Sequence, residues 1–370
     1  MTLLLMTPGP TRVPDRVLAA GAMPMIHHRS DEFCLMLVSV LERLRPLFGT
    51  RENVFPVHST GRGALEGAIV NLLSPGDEIV ACCNGLFGEM WAEIAEAFGV
   101  TVHRVCRDWG ASADPLQIQN ALAAHPRARG VTIAHSDTST AALNDVAAVA
   151  QVCRRAGVLA MVDAVSSLGG MPFLFDEWGI DVAVTSSQKC LMSSPGIAFV
   201  AFSEKAWEAQ KTARLPRRYF DFAAIRKALA KAKPEALGTT PVHLVAQVHA
   251  ALDLIDEEGL EGVFARHEEM GRMARKGAAD LGMPLQCPNL QRYTPTLTAI
   301  HAPEGIAPLA IRQQLKARGI LTAQGLGNFT PTSFRIGHMG DIRPADVQRT
   351  LDTLAEVIAV AREHDGGKDN

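Results

Sequence analysis

Two residues of opposite charge follow short apolar segments near the middle of the chain. Asp163 ends the run VLAMV, and Lys189 follows a second run, GIDVAVTSS; a third run, GIAFV, comes after the lysine. Short runs rich in Val, Ile and Ala, bounded by glycine and polar residues, are typical of buried parallel strands. The carboxyl ends of such strands share one edge of the sheet, where open α/β sheets bind ligands. We therefore expect Asp163 and Lys189 to lie together at this edge.

A lysine amine and a carboxylate at one sheet edge meet the needs of pyridoxal phosphate. The amine bonds to the aldehyde of this cofactor, and the carboxylate keeps the pyridine nitrogen protonated so that the ring withdraws electrons. The alternative is an ion pair at a strand end, because most charged residues are solvated on the surface. The two residues alone leave both interpretations open.

The motifs around these residues resemble those of the class V (fold type I) aminotransferases. The likeness rests on VDAVSSLGG at 162–170 and SSQKCLMSSPG at 186–196, and it extends from TPGPT at 7–11 to FRIGHMGDI at 334–342. It is greatest with the alanine–glyoxylate and serine–pyruvate aminotransferases, with features of 2-aminoethylphosphonate–pyruvate aminotransferase. The resemblance implies an enzyme that moves amino groups with pyridoxal phosphate, with Lys189 and Asp163 as its catalytic residues.

The same resemblance implies where the cofactor binds. The turn HSTGRG precedes a predicted helix, and free amides at a helix N-terminus bind anions, so this turn matches the phosphate site. Phe87 matches an aromatic residue that stacks on the cofactor ring. Arg62 replaces the His of some relatives, and its cation suits either the phosphate or the substrate. The implied cofactor-binding residues are Thr60, Gly61, Arg62, Phe87, Thr138, Asp163, Val165, Gln188, Lys189 and Thr239.

Three residues match the substrate contacts of the family, namely Gly9, Thr138 and Arg335. A guanidinium binds a carboxylate through two parallel hydrogen bonds, so Arg335 is expected to hold the α-carboxylate. No second arginine stands at a recognised position for a distal carboxylate. We therefore expect a small donor, alanine or serine, a small 2-oxo acid acceptor, glyoxylate or pyruvate, and a ping-pong mechanism. Ala141 stands where the family usually has glycine.

Other functions remain open. RRYFDF at 217–222 and DTST at 137–140 favour 2-aminoethylphosphonate as the donor, whereas Gln188, where that branch tends to carry Asn, favours an amino acid. A pyridoxal phosphate lyase or cysteine desulfurase usually has His at the position of Gln188 and needs a late mobile cysteine, for which Cys287 is the candidate. A non-catalytic protein that kept the fold would have lost Lys189 or Asp163.

The order of elements predicts an α/β protein. Apolar runs alternate with helical patterns up to residue 258, which favours a mostly parallel sheet of the seven-stranded type flanked by helices. Strands and helices are mixed after residue 259, which predicts a smaller α+β C-terminal domain. We expect an N-terminal arm at 1–15, a large cofactor-binding domain at 16–258 and a small domain at 259–370.

Composition narrows the partners and the location. The 370 residues carry a net charge of −3, which favours neither nucleic acid nor a membrane surface as a partner. No stretch has the ~18 apolar residues of a membrane span, and the opening MTLLLMTPGP lacks the basic region of a signal peptide. Seven scattered cysteines without a CxxC pair are typical of a reducing cytoplasm. No set of residues at metal-ligand spacing stands out, so no metal is expected.

Two segments of the sequence indicate an oligomer. Thr239 and the N-terminal arm both resemble parts that serve the neighbouring subunit in the class V family. The resemblance therefore implies a homodimer with its active sites at the subunit interface.

Overall fold

A computed structural model describes residues 3–366 of the chain. Its strands form a seven-stranded sheet and a four-stranded sheet. The strands are β1 (Leu4–Met6), β2 (Val54–Val57), β3 (Glu78–Cys82), β4 (Thr101–Val105), β5 (Ala128–Ala134), β6 (Leu159–Asp163), β7 (Val182–Ser186), β8 (Ala198–Phe202), β9 (Leu297–His301), β10 (Ile320–Gln324) and β11 (Ser333–Gly337).

Helices cover both faces of the large sheet and one face of the small one. The helices are α1 (Asp15–Gly21), α2 (Asp31–Phe48), α3 (Gly61–Leu72), α4 (Leu86–Ala97), α5 (Pro115–Ala124), α6 (Val146–Ala156), α7 (Phe175–Trp178), α8 (Glu204–Thr212), α9 (Phe222–Leu229), α10 (Val242–Glu258), α11 (Leu260–Asp280), α12 (Pro308–Ala317) and α13 (Pro344–Gly366). Within residues 3–366, no helix combines the length and the apolar character needed to cross a bilayer.

The large sheet has the strand order β2-β8-β7-β6-β5-β3-β4. The pairs among β3, β4, β5, β6 and β7 are all parallel, which confirms the predicted α/β class. The expectation that GIAFV forms a further parallel strand is wrong, because β8 runs antiparallel to both of its neighbours. The loop that carries Lys189 is too short for the crossover that a parallel connection needs, so the chain returns as a hairpin.

The side chains of the central strands point alternately to the two faces of this sheet, and both faces are buried. On β7, Val182 and Val184 pack in the cluster with α3 and α4, whereas Ala183 packs in the opposite cluster with α2 and α10. Successive strand residues point to opposite faces, so a run that is apolar at every position is buried on both. These two cores hold the ends of β6 and β7 at fixed positions.

The sequence also predicts a helix from about Ser30 to Phe48, with Ser30 as its N-cap. The Ser30 hydroxyl accepts a hydrogen bond from the Phe33 amide at 3.2 Å, and Gly49 ends the helix with φ of +63°. A serine N-cap satisfies a free amide, and glycine adopts the left-handed conformation at little cost. The structure confirms this helix at Asp31–Phe48.

The N-terminal arm joins the four-stranded sheet, whose order is β1-β10-β11-β9. Leu4 and Met6 of β1, which pairs in parallel with β10, pack with α11, α12 and α13 in a third core. The predicted late strands and helices are confirmed. The domain limits at residues 15 and 258 stay predictions, and residues 1–2 and 367–370 of the outer segments lie outside the described range.

Candidate active site

A cavity of about 330 Å³ lies beyond the carboxyl ends of β6 and β7. It brings together residues that are far apart in the chain and that the sequence predicts to act together. The predicted residues that line it are Gly9, Thr60, Gly61, Arg62, Phe87, Thr138, Asp163, Val165, Gln188 and Lys189.

The amine of Lys189 lies at the inner end of this cavity. Its Nζ donates a hydrogen bond to the Pro8 carbonyl at 2.5 Å, and the residue is 9% exposed. Burial, and secondly the positive charge of Arg335, lower the pKa of the Lys189 amine to about 8. A lysine with such a pKa is partly neutral near physiological pH, and the neutral amine is the form that bonds to carbonyls and accepts protons.

Asp163 ends β6 and is buried beside the cavity. One carboxylate oxygen accepts a hydrogen bond from the Val165 amide at 2.8 Å. Burial, and to a smaller extent the nearby charge of Asp137, raise the pKa of Asp163 to about 6. A cation placed in the cavity would offset this cost, because an opposite charge favours the ionised carboxylate. A protonated pyridine nitrogen fits this position.

The start of α3 forms the opposite end of the cavity. Thr60 is the N-cap, yet its side chain makes no capping hydrogen bond to the helix. Gly61 packs closely on Val165, whose Cγ2 would lie 2.7 Å from a Cβ at position 61. The first amides of α3 are therefore available to an anion, and the helix dipole favours one there. The exposed Arg62 side chain adds a cation, and its Nε lies 3.0 Å from the Met90 sulfur.

Phe87 is held by a residue that the sequence analysis missed. The fully buried Asp137 accepts hydrogen bonds from the Phe87 amide at 3.0 Å and from the amide and hydroxyl of Ser139 at 2.9 and 2.5 Å. Gly85 makes this contact possible, since a Cβ there would lie 2.2 Å from the Asp137 carboxyl carbon. A carboxylate at the N-terminus of α4 is stabilised by the helix dipole. The acidic residue in the DTST loop was the available signal.

Arg335 lies behind Thr138 and does not line the cavity itself. Its Nε donates to the Gln324 carbonyl and its Nη1 to the Thr138 carbonyl, both at 2.9 Å. Burial lowers the pKa of Arg335 to about 10, so it remains a cation at neutral pH. Within residues 3–366, Nη2 makes no hydrogen bond. This nitrogen is available to a carboxylate.

Thr239 is not brought to Lys189 within one chain. It is exposed and lines a separate depression of about 590 Å³, together with residues 25–28 and 240–244. Thr239 and the Lys189 cavity are therefore separate within one chain.

Two backbone positions near the site have positive φ angles. Gly9, at +116°, lies so close to Lys189 that an added Cβ would be 2.6 to 2.7 Å from its Cδ, Cε and Nζ. Ala141, at +64°, keeps the left-handed conformation although it replaces the usual glycine. Non-glycine residues rarely adopt this conformation, so the Ala141 loop keeps a glycine-like backbone under strain.

We predict that Gly9→Ala displaces the Lys189 side chain and weakens pyridoxal phosphate binding by at least about tenfold, since misplacements of about 1 Å cost such factors at active sites. Fluorescence titration with the cofactor measures this effect. Gly282→Ala is the matched control, because Gly282 also has a positive φ, +72°, but no atom within 4 Å of its added Cβ. Equal affinities in the two variants would show that the contact with Lys189 has no role.

Curated relatives match almost the whole chain. The soluble hydrogenase small subunit of Synechococcus is 38% identical over 96% of this chain and 93% of its own length. The L-aspartate–glyoxylate aminotransferase of Paracoccus denitrificans is also 38% identical, over 95% and 90%. The serine–glyoxylate aminotransferase of Methylorubrum extorquens is 34% identical, over 91% and 86%.

A solved structure shares the architecture. The alanine–glyoxylate aminotransferase of a Nostoc species superposes with a TM-score of 0.92 at 29% identity, and the match covers 97% of this chain and 96% of that one. Residues 4–345 match the family described as aminotransferase class-V. The chain therefore belongs to the class-V aminotransferase family.

Proposed function

We propose that this enzyme transfers an amino group from alanine or serine to glyoxylate or pyruvate, with pyridoxal phosphate as its cofactor. The observation that carries the proposal is the position of Arg335, a buried guanidinium whose charge acts on Lys189 and whose Nη2 is available to a carboxylate. One such anchor orients an amino acid by its α-carboxylate. Relatives named for alanine, serine and glyoxylate support the substrate class.

Pyridoxal phosphate, when bound, supplies an electron-withdrawing ring that acidifies the α-carbon proton of the donor. In this assignment the first amides of α3 and Arg62 would hold its phosphate, Asp163 would pair with the ring nitrogen, and Phe87 and Val165 would contact the ring. These residues orient the reacting atoms before any proton moves.

Lys189 would be the group that moves the proton. Its Nζ would accept the proton from the α-carbon of the donor and later release it. The lowered pKa of about 8 suits an amine that must both accept and release a proton near neutral pH. The Pro8 carbonyl is a hydrogen-bond acceptor that holds this amine at the inner end of the cavity.

A second donor is favoured by one observation. Arg62 is a wall of the cavity, and within residues 3–366 no carboxylate pairs with it. A free cation there suits the distal carboxylate of aspartate, the donor in the name of the Paracoccus relative. This candidate requires Arg62 to contact substrate and not the phosphate.

The desulfurase alternative has little support in the site. Cys287 is fully buried, and burial raises the pKa of its thiol. A desulfurase needs a reactive thiolate on a mobile segment, and a buried thiol with a raised pKa is inert.

Single-donor half-reactions test the proposed substrates. We predict that alanine or serine discharges the long-wavelength absorbance of the bound cofactor at least about tenfold faster than aspartate, a difference of about 1.4 kcal/mol in the barrier. Because Arg62 is assigned to the phosphate, Arg62→Ala is compared with wild type at saturating pyridoxal phosphate, where it should slow the alanine and aspartate reactions by the same factor. A fast reaction with aspartate that Arg62→Ala abolishes would select the second donor. Discharge by 2-aminoethylphosphonate but not by alanine or serine would contradict the proposal.

We also propose a homodimer in which Thr239 of each chain reaches the cofactor phosphate of the other. The support is the location of Thr239, exposed and away from the Lys189 cavity of its own chain. A two-fold dimer would complete both sites with the same pair of surfaces. A cytoplasmic location is consistent with the seven free cysteines, all of them buried.

Mixed dimers test the shared site. Lys189→Ala and Thr239→Asp are each expected to be inactive, the first without its amine and the second because a carboxylate repels the phosphate. Refolded together, they form some dimers in which one site has both Lys189 and a wild-type Thr239, so activity should return. Absence of recovery in a verified mixed dimer would mean that Thr239 does not serve the neighbouring site.

A further inference from the structure

A second group of polar side chains lies far from the Lys189 cavity. It consists of Glu78, His103 and His125, whose ligand atoms all lie within 4.8 Å of one another. Within residues 3–366 it is the one group of three His, Cys, Asp or Glu side chains with such close ligand atoms. None of the predicted site residues belongs to it.

The strand register explains why these three side chains meet. Glu78 begins β3 opposite Thr101, so His103 on the same face of β4 lies diagonally across from it. Glu78 is also paired with Ala128 at the start of β5. The Ala128 amide donates to the His125 carbonyl at 3.0 Å, and this turn returns His125 to the same corner. The group is thus fixed by three backbone segments.

The contacts inside the group are short. Oε2 of Glu78 lies 2.9 Å from Nε2 of His103, and the His103 and His125 rings are stacked with centroids 3.4 Å apart. The Glu78 side chain is only 10% exposed. A carboxylate beside two imidazoles is a ready set of metal ligands.

Besides its hydrogen bond with His103, this carboxylate pairs with Arg127 within the described chain. Its Nη2 lies 2.5 Å from the other oxygen, Oε1, and its side chain is 85% exposed. Ion pairs of such exposed side chains contribute little, so the guanidinium can leave at small cost. Oε2 stays directed at the histidines in either case.

We propose that Glu78, His103 and His125 bind one divalent transition-metal ion of the zinc class. Two imidazoles, one carboxylate and a water complete a four-coordinate site of the kind zinc prefers. Imidazole nitrogens do not suit calcium or magnesium, which take oxygen ligands. Binding requires the two rings to tilt out of their stack so that their nitrogens converge. His125 has space for this movement, because it borders an open depression of about 410 Å³.

The position of the group determines what a bound metal ion would do to the protein. Glu78 and Ala128 begin their strands, whereas Asp163 ends β6, so the metal site and the catalytic cavity lie at opposite edges of the sheet. A metal ion here would link β4, the outermost strand, to β3 and to the turn before β5. It would stabilise the folded chain by mass action without contacting the substrate.

Titration calorimetry of the cofactor-loaded enzyme with Zn²⁺ tests the proposal. The expected result is one high-affinity site per chain, with affinity lower by at least about tenfold in His125→Ala and in His103→Gln, since even partners outside the ligand set change metal affinity by that factor. His301→Gln is the control, as a histidine outside the group, and should bind as wild type. Zn²⁺ should also raise the melting temperature of wild type but not of His125→Ala.

Arg127→Ala provides a test of opposite sign. Removal of the guanidinium frees Oε1, so this variant should bind Zn²⁺ at least as tightly as wild type. If the group only formed an ion pair, neither the variant nor the wild type would bind Zn²⁺. His125 is half-buried at the end of α5, so His125→Ala remains informative if His103→Gln fails to fold. Absence of saturable Zn²⁺ binding by wild type, or unchanged affinity in His125→Ala, would overturn the proposal.

Discussion

Burial of the Lys189 amine is the constraint on which the rest of the site depends. An ammonium group loses its hydration there, and the charge of Arg335 adds repulsion, so its pKa falls to about 8. The N-terminal arm of the same chain compensates with the Pro8 carbonyl, which requires the arm to pass over the loop after β7. That path leaves no room for a side chain at Gly9. The path of the N-terminal arm, the position of the loop after β7 and the lowered pKa of Lys189 are therefore all linked to the burial of this one amine.

Arg335 connects the region around Lys189 to the second sheet. Its guanidinium bonds the carbonyl of Thr138 in the large sheet's loop and that of Gln324 in β10 of the small sheet. Asp137, one residue before Thr138, fixes the start of α4 and with it Phe87. A carboxylate bound by Arg335 would thus act on a loop that also orients the aromatic wall. This connection gives the proposed substrate anchor and the proposed cofactor cavity a common support.

The features that local sequence specifies were predictable. The apolar runs before Asp163 and Lys189 specify strands buried on both faces, and Ser30 as an N-cap specifies the start of a helix. The residues grouped around the cavity followed from a family likeness, not from spacing alone. Their approach to one another could be anticipated only because strand ends share an edge of a parallel sheet.

Features that depend on distant partners could not be predicted. The reversed direction of β8 is set by its pairing with β2 and β7, and the place of β1 by its pairing with β10. Asp137 bonds to backbone amides fifty residues earlier, which leave no pattern in the sequence. Glu78, His103 and His125 come from three elements and form no motif at ligand spacing.

Chemical trapping of the cofactor tests the central claim, that Lys189 is its point of attachment, most directly. The enzyme loaded with pyridoxal phosphate is reduced with borohydride, digested and mapped by mass spectrometry. The account predicts that the peptide containing Lys189 carries the phosphopyridoxyl group in near-stoichiometric amount and that Lys189→Ala carries none. A label on another lysine of the wild-type protein, or no label despite saturating cofactor, would contradict the account.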